Sequence, residues 1–270
     1  MADQLSPSNR STDAAQKAAK GRISNARSLN RDPMEWAHEI HQGNRTALSQ
    51  AITLTESANP PDQLMLDHLL QAIASFSAKE KSIRIGITGV PGVGKSTFIE
   101  SYGQRLIDQG HRVAVLAVDP SSGISKGSLL GDKTRMELLA KESNAYIRPS
   151  PTSSALGGIT RGTHEAILLC EAAGFDRILI ETVGVGQSEV AVRECSDAFI
   201  LLMLPGGGDE LQGIKRGIME MADLILVNKC DGATTSQAKR AALEYGNAVH
   251  LFPPLQGGHH VDVLTVSALE

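Results

Sequence analysis

Apolar residues fall into two regimes along the chain. Between Met34 and about Ser57 they recur at helical spacing, at Trp36, Ile40, Leu48 and Ile52. A second helical stretch follows Pro60-Pro61 and carries Leu64, Leu66, Leu69, Leu70 and Ile73. From Ile83 onward the pattern changes to short β-rich runs. Ile83–Thr88 ends in Gly89 and leads into a helix from Lys95, and Arg112–Val118 ends at Asp119-Pro120. Asp176–Ile180, Ala198–Leu204, Leu224–Val227 and Val261–Val266 repeat the theme, with helical stretches between most of them. Strands alternating with helices predict βαβ units and an α/β, doubly wound, mostly parallel sheet with helices on both faces. In such sheets ligands bind at the C-terminal ends of the strands.

This pattern divides the chain into a tail over 1–31, a helical N-terminal segment over 32–80 and a nucleotide domain over 81–270. The tail is rich in Ser, Asn, Arg and Ala without apolar periodicity and is expected to be disordered. Its Arg and Ser content also suits an organellar transit peptide, although Asp3 and Asp13 argue against one. Aromatics make up only 3% of the 270 residues, so the core must be built from Val, Ile, Leu and Ala, as parallel strands buried on both faces are. A formal net charge of -4 favours neither nucleic acid nor an anionic membrane. No run of 18 apolar residues is present, and Cys170, Cys195 and Cys230 are far apart with no C-x-x-C pair. A reducing, cytoplasmic compartment is the expectation.

The first block with chemistry in it is Gly89-Val90-Pro91-Gly92-Val93-Gly94-Lys95-Ser96, followed by Thr97. It matches G-x-x-x-x-G-K-S/T at every fixed position, follows a strand and opens a helix. Glycines let the backbone curl so that successive N–H groups point at phosphate oxygens. The helix N-terminus adds positive potential. Lys95 is expected to reach the β/γ oxygens, and the Ser96 hydroxyl to ligate Mg²⁺. A glycine-rich turn alone would be weak evidence; the complete motif in this context predicts a P-loop NTPase.

A P-loop needs an acid at another strand end to hold the metal. Glu181 ends the run Arg177–Ile180 and is followed by Thr182-Val183-Gly184, so that the Gly184 N–H could meet the γ-phosphate. Asp119 ends the preceding apolar strand, and Asp132 lies in the polar segment beyond it, in Gly131-Asp132-Lys133. Each acid could instead be an N-cap or a solvated turn. Gln187, just after the Glu181 block, is a candidate for positioning the attacking water, with a structural role as the alternative.

On the base side, Asn228-Lys229-Cys230-Asp231 follows the strand Leu224–Val227. A carboxylate can accept from guanine's N1–H and exocyclic amine, whereas adenine's N1 acceptor would leave it unpaired at a large penalty. Lys229 would lie along the base plane, and Asn228 would tie this loop to the phosphate loop. Ser267-Ala268-Leu269 resembles the backbone-donor loop that contacts guanine O6. GTP and GDP are therefore the expected ligands.

With these motifs in place, the chain resembles the methylmalonyl-CoA mutase-associated GTPases, the MeaB/ArgK family, from about Gln42 to the last residue. The resemblance rests on Gly89–Ser96, Val118–Ser122, Gly131–Met136, Glu181–Gln187, Leu204–Lys215 and Asn228–Asp231. It implies a cytosolic or mitochondrial G-protein chaperone of an adenosylcobalamin-dependent acyl-CoA mutase. Such proteins gate loading of intact cofactor from an adenosyltransferase and protect the mutase from inactivation. It also implies Ser96, Asp119, Asp132 and Glu181 as the magnesium side; Lys95, Glu181 and Gln187 are the catalytic candidates. The segment Gly206–Lys215 resembles the family's partner-responsive switch, with Asp209, Gln212 and Lys215 as its polar members. Family members continue past Ser-Ala-Leu into helices that pair two protomers, whereas this sequence stops at Glu270, so a monomer is expected for the chain as written.

Three other readings compete, one of them a pure binding module without turnover, since intrinsic hydrolysis can be slow until a partner completes the site. A nickel metallochaperone would need a His or Cys cluster, and His259-His260 is the only adjacent pair. A phosphotransferase, such as a kinase linked to amino-acid transport, would need an acceptor-binding block, and Asn228–Asp231 argues against ATP as its donor.

Overall fold

The computed structural model describes residues 31–76, 81–118, 136–148, 156–182, 188–206, 216–254, 258 and 260–269. Among the described residues three helices come first, and their boundaries follow from local chemistry. Helix α1 (Pro33–His41) has Pro at its first position, and the Asp32 carboxylate accepts from the N–H groups of Met34 and Glu35 at 2.8 and 2.9 Å. The chain then turns through Gly43 at φ +82°, and Asn44 caps α2 (Arg45–Thr55) by accepting from Thr46 and Ala47. The single helical stretch read from Met34 to about Ser57 is thus two helices, broken where glycine can adopt a left-handed conformation. Helix α3 (Pro60–Ala74) starts on the proline pair. Trp36 seals the junction: it is fully buried, its indole N–H donates to Ala47 O at 3.0 Å, and the Arg31 guanidinium lies over its ring.

The sheet is built from β1 (Ile83–Gly89), β2 (Val113–Val118), β3 (Ala145–Arg148), β4 (Arg177–Thr182), β5 (Ala198–Met203), β6 (Leu224–Val227) and β7 (Asp262–Thr265). The strand order is β3-β2-β4-β1-β5-β6-β7, and every neighbouring pair is parallel. Helix α4 (Lys95–Asp108) packs on one face through Ile99 and Leu106. Helix α5 (Leu156–Ala172) and the N-terminal helices cover part of the other, through Ile167, Leu169, Trp36 and Leu48. Helices α6 (Ser188–Glu194), α7 (Arg216–Met221) and α8 (Thr235–Val249) complete the described α-helices, with α8 lying on β6 and β7. The crossovers run from β1 outward to β2 and β3, back to β4 beside β1, then out to β5, β6 and β7. The chain's direction across the sheet therefore reverses at β1, and the C-terminal ends of β1 and β4 form the crevice where ligands bind in such sheets.

At the opposite end of the sheet, Asp176 ties β2 to β4. It accepts from the Arg112 N–H at 2.8 Å and from His111 Nδ1 at 2.8 Å, and Arg177 lies 3.5 Å away. Burial alone would raise this carboxyl, but the bonds from His111 and Arg112 and the charge of Arg177 outweigh it and hold the group below its usual value. A depressed carboxyl contributes stability above its unfolded value, and that contribution is lost as pH falls through the folded value. Asp176→Asn is accordingly expected to cost about 1 kcal/mol at pH 7, a figure typical of a hydrogen bond weakened by loss of charge. The deficit should shrink as the pH of urea unfolding is lowered below about 4. An equal deficit at both pH values would show that charge is not what Asp176 contributes.

Candidate functional site

The loop after β1 curls because three of its glycines adopt conformations other residues rarely take. At Gly89 (φ +152°) a Cβ would sit 2.5 Å from Leu202 O, and at Gly94 (φ +94°) it would meet Asn228 Nδ2 at 2.9 Å. At Gly92 (φ +80°) a Cβ would instead meet open space. Val93 is fully buried beneath the loop and anchors it to the core. Lys95 opens α4, and its Nζ donates to Gly89 O at 2.8 Å, with Val90 O at 3.5 Å, so the cation spans the mouth of the loop. Pro91 and Thr97 are exposed at the rim.

Glu181 lies in β4 beside Ile87 of β1, one residue before the strand ends at Thr182. The carboxylate is buried, and the Ser96 hydroxyl donates to its Oε1 at 3.2 Å. Behind this pair, Thr182 Oγ1 donates to Thr88 Oγ1 at 2.8 Å, so a fully buried hydroxyl pair links the C-terminal ends of β4 and β1. Two hard oxygens side by side at the head of an anion-binding loop form a donor set that suits Mg²⁺. Asp119, Asp132, Gly184, Gln187, Asp209, Gln212 and Lys215 lie outside the described residues.

The third wall comes from the end of β6. Asn228 is buried, and its Nδ2 donates to Val93 O at 2.9 Å, inside the phosphate loop. Lys229 adopts φ +60°, a conformation uncommon for a residue with a side chain, and its Nζ donates to Gly92 O at 2.9 Å. Asp231 points the other way: its Oδ2 accepts from the Ser267 hydroxyl at 2.9 Å, beyond β7. Ala268 follows, and Leu269 is largely exposed. The sequence motifs at Gly89–Ser96, Glu181, Asn228–Asp231 and Ser267–Leu269 are thereby gathered at one end of one sheet. A separate cavity of about 500 Å³, lined by Leu70, Ile73, Phe76, Arg84, Glu171 and Asp197, opens near the starts of β1 and β5, away from these loops.

Sequence reasoning missed three contacts made here. Lys229 reaches the phosphate loop itself, Thr88 pairs with Thr182, and Ser101 of α4 donates to Ala268 O at 2.5 Å. Each joins elements remote in sequence, and only the strand order shows that they meet.

A parallel sheet with a glycine-rich phosphate loop after its central strand, and an Asn-Lys-x-Asp loop packed on it, defines a P-loop GTPase. The family model of the methylmalonyl-CoA mutase-associated GTPase MeaB matches residues 48–270, and the chain belongs to that family. Relatives agree. The chain is 49% identical to GTPase ArgK of Escherichia coli over 236 residues, covering 87% of this chain and 71% of that protein. It is 55% identical over 218 residues to a mouse mitochondrial protein named methylmalonic aciduria type A homolog, covering 78% of this chain and 52% of the relative. Among solved structures, one described as LAO/AO transport system kinase superposes with a TM-score of 0.72 at 41% identity, covering 88% of this chain and 69% of that one. The protein is a GTPase that binds guanine nucleotide. Among the described residues, no helix is long and apolar enough to cross a membrane.

Proposed function

We propose that this GTPase is a chaperone of a cobalamin-dependent acyl-CoA mutase such as methylmalonyl-CoA mutase, and that its nucleotide cycle gates loading of adenosylcobalamin and protects the loaded enzyme. The observation that carries this reading is membership of a family named for association with that mutase, over residues 48–270. The mouse relative's name points the same way. An adenosyltransferase supplying the cofactor is the second partner this reading implies.

Within the cycle, the Gly89–Ser96 N–H groups and Lys95 bind the phosphates, with Thr97 beside them, and Asp231 reads the guanine edge. Asn228 and Lys229 brace the base loop against the phosphate loop, and Ser267–Leu269 closes over the base. Ser96 and Glu181 are the described residues that would hold Mg²⁺, joined by Asp119 and Asp132. Bound magnesium supplies charge neutralisation at the β and γ oxygens during transfer to water. Gly184 would donate to the γ-phosphate, Gln187 would orient the attacking water, and Asp209, Gln212 and Lys215 would answer the mutase.

The test is phosphate release from GTP at varied magnesium, with and without purified methylmalonyl-CoA mutase. The mutase is expected to accelerate release and to co-elute with the GTP-bound protein. Glu181→Gln should cut hydrolysis by roughly 10²-fold and raise the magnesium needed for half-maximal rate, because an amide oxygen is a weaker ligand than a carboxylate. Parental rate and magnesium response in that variant would remove Glu181 from the metal side. A mutase that neither binds nor stimulates would remove the chaperone reading and leave the GTPase.

A further inference from the structure

We infer that Ser101 is a positioning residue for guanine recognition, a role that rests on the reading of Asp231 and Ser267–Leu269 as the base side. Ser101 stands in the second turn of α4, the helix that the phosphate loop opens. A serine on the exposed face of a helix ordinarily turns to solvent or back to a carbonyl one turn earlier. Here its hydroxyl donates instead to Ala268 O, 167 residues away and at 2.5 Å. The bond ties the helix behind the phosphates to the loop beside the base.

The loop that Ser101 reaches follows Val266, which backbone bonds tie to Val227 and Cys230. Residues 267–269 follow β7, the edge strand, whose Leu264 is 54% exposed, and Leu269 is 79% exposed. Apolar burial therefore does little to fix the loop. Polar ties contribute: Ser267 Oγ donates to Asp231 Oδ2 at 2.9 Å while accepting from Leu269 N at 3.2 Å, and Ala268 O accepts from Ser101. Planar peptides leave two soft dihedrals at Ala268, so fixing its carbonyl on one side and Ser267 on the other restricts the Ala268 N–H between them. That N–H is the donor placed to meet guanine O6. Ser101 would thus act on base recognition without touching the base.

The experiment compares Ser101→Ala, Ser101→Thr and Asp231→Asn in the full chain. The readouts are affinity for GDP and for 6-thio-GDP, whose sulfur is a poorer acceptor at the position the Ala268 N–H would meet, and the urea unfolding midpoint. Ser101→Ala should weaken GDP by about fivefold, the worth of one neutral hydrogen bond. It should also narrow the preference for GDP over 6-thio-GDP. The unfolding midpoint should fall only slightly, since alanine's better helix propensity offsets part of the lost bond. Threonine keeps the hydroxyl and should restore both affinity and preference. Parental GDP affinity in Ser101→Ala, or equal losses for the two nucleotides, overturns the inference. If Asp231→Asn loses GDP while Ser101→Ala does not, only the role of Ser101 falls. If Asp231→Asn also binds GDP as the parent does, the base-side reading falls and takes this inference with it.

Discussion

Lys95→Ala should lower GTP hydrolysis by about 10²–10³-fold, the usual cost of removing one pre-placed charge from a developing negative centre. Lys95 is the only cationic side chain in Gly89–Ser96. Its Nζ already stands across the loop on Gly89 O at 2.8 Å, so it needs little rearrangement to face a phosphate oxygen. The neighbouring cation cannot replace it. Lys229 is bonded to Gly92 O on the base side of the loop and adopts a constrained backbone conformation. Arginine should not rescue, because a planar fork is larger than the ammonium that this loop encloses. Single-turnover phosphate release, with the bound GTP fraction measured separately, divides lost binding from lost chemistry. A rate within about threefold of the parent, well inside one 1.36 kcal/mol step in barrier, would show that the loop's N–H groups suffice.

How much of this was legible in the sequence depended on whether the signal was local. Leu224–Val227 was placed to the residue because four apolar positions are closed by Asn228 and opened after Asp223. The phosphate loop was legible because its glycines carry a conformational requirement that leaves a fixed spacing. Strand β3 was missed altogether. Its Ala-Tyr-Ile-Arg is too short to show a period, and it exists as an edge because it pairs with β2 in parallel register and Arg45 donates to Ala145 O. Glu181 was read as the residue after its strand, yet β4 runs on to Thr182 because pairing with Val118 of β2 extends it. Asp119, Asp132, Gly184, Gln187, Asp209, Gln212 and Lys215 fall outside the described residues, and their roles are proposals.

Side-chain ties between distant loops were the least legible, for a physical reason. Periodicity reports which face of an element is buried, not which other element covers it. Strand order puts β6 two places from β1, and only then can Asn228 reach Val93 O and Lys229 reach Gly92 O. The same logic holds at Gly206 (φ +90°), where a Cβ would strike the Gln237 amide of α8 at 2.2 Å. That contact joins the start of the Gly206–Lys215 segment to the helix following the base loop, and nothing in the local sequence signals it.

Asp231→Asn should convert a guanine site into one that favours xanthine. The Asp231 carboxylate has one oxygen in a bond from Ser267 at 2.9 Å and, as an ionised group, keeps acceptor capacity for guanine's N1–H and 2-amino group. An asparagine presents one acceptor and one donor. Its NH₂ would then oppose guanine's NH₂, trading a charge-assisted bond for two unpaired donors, together about 3–4 kcal/mol or 10²–10³-fold in GDP affinity. Xanthine keeps the N1–H and carries a carbonyl in place of the amine, so both asparagine atoms find partners. The Ser267 hydroxyl can donate or accept, and it therefore tolerates either orientation of the amide. Asp231 is only partly buried and its neighbours at Cys230 and Val266 are held by backbone bonds, so the isosteric change should leave the fold intact. Competition by GDP, XDP and ADP against a fluorescent guanine nucleotide reads the result. XDP should become the better competitor, and ADP should gain little, because at most one of the amide's two groups finds a partner on adenine's N1 and C2–H edge. A variant that still prefers GDP would mean that another group reads the base and that Asp231 serves only to hold Ser267.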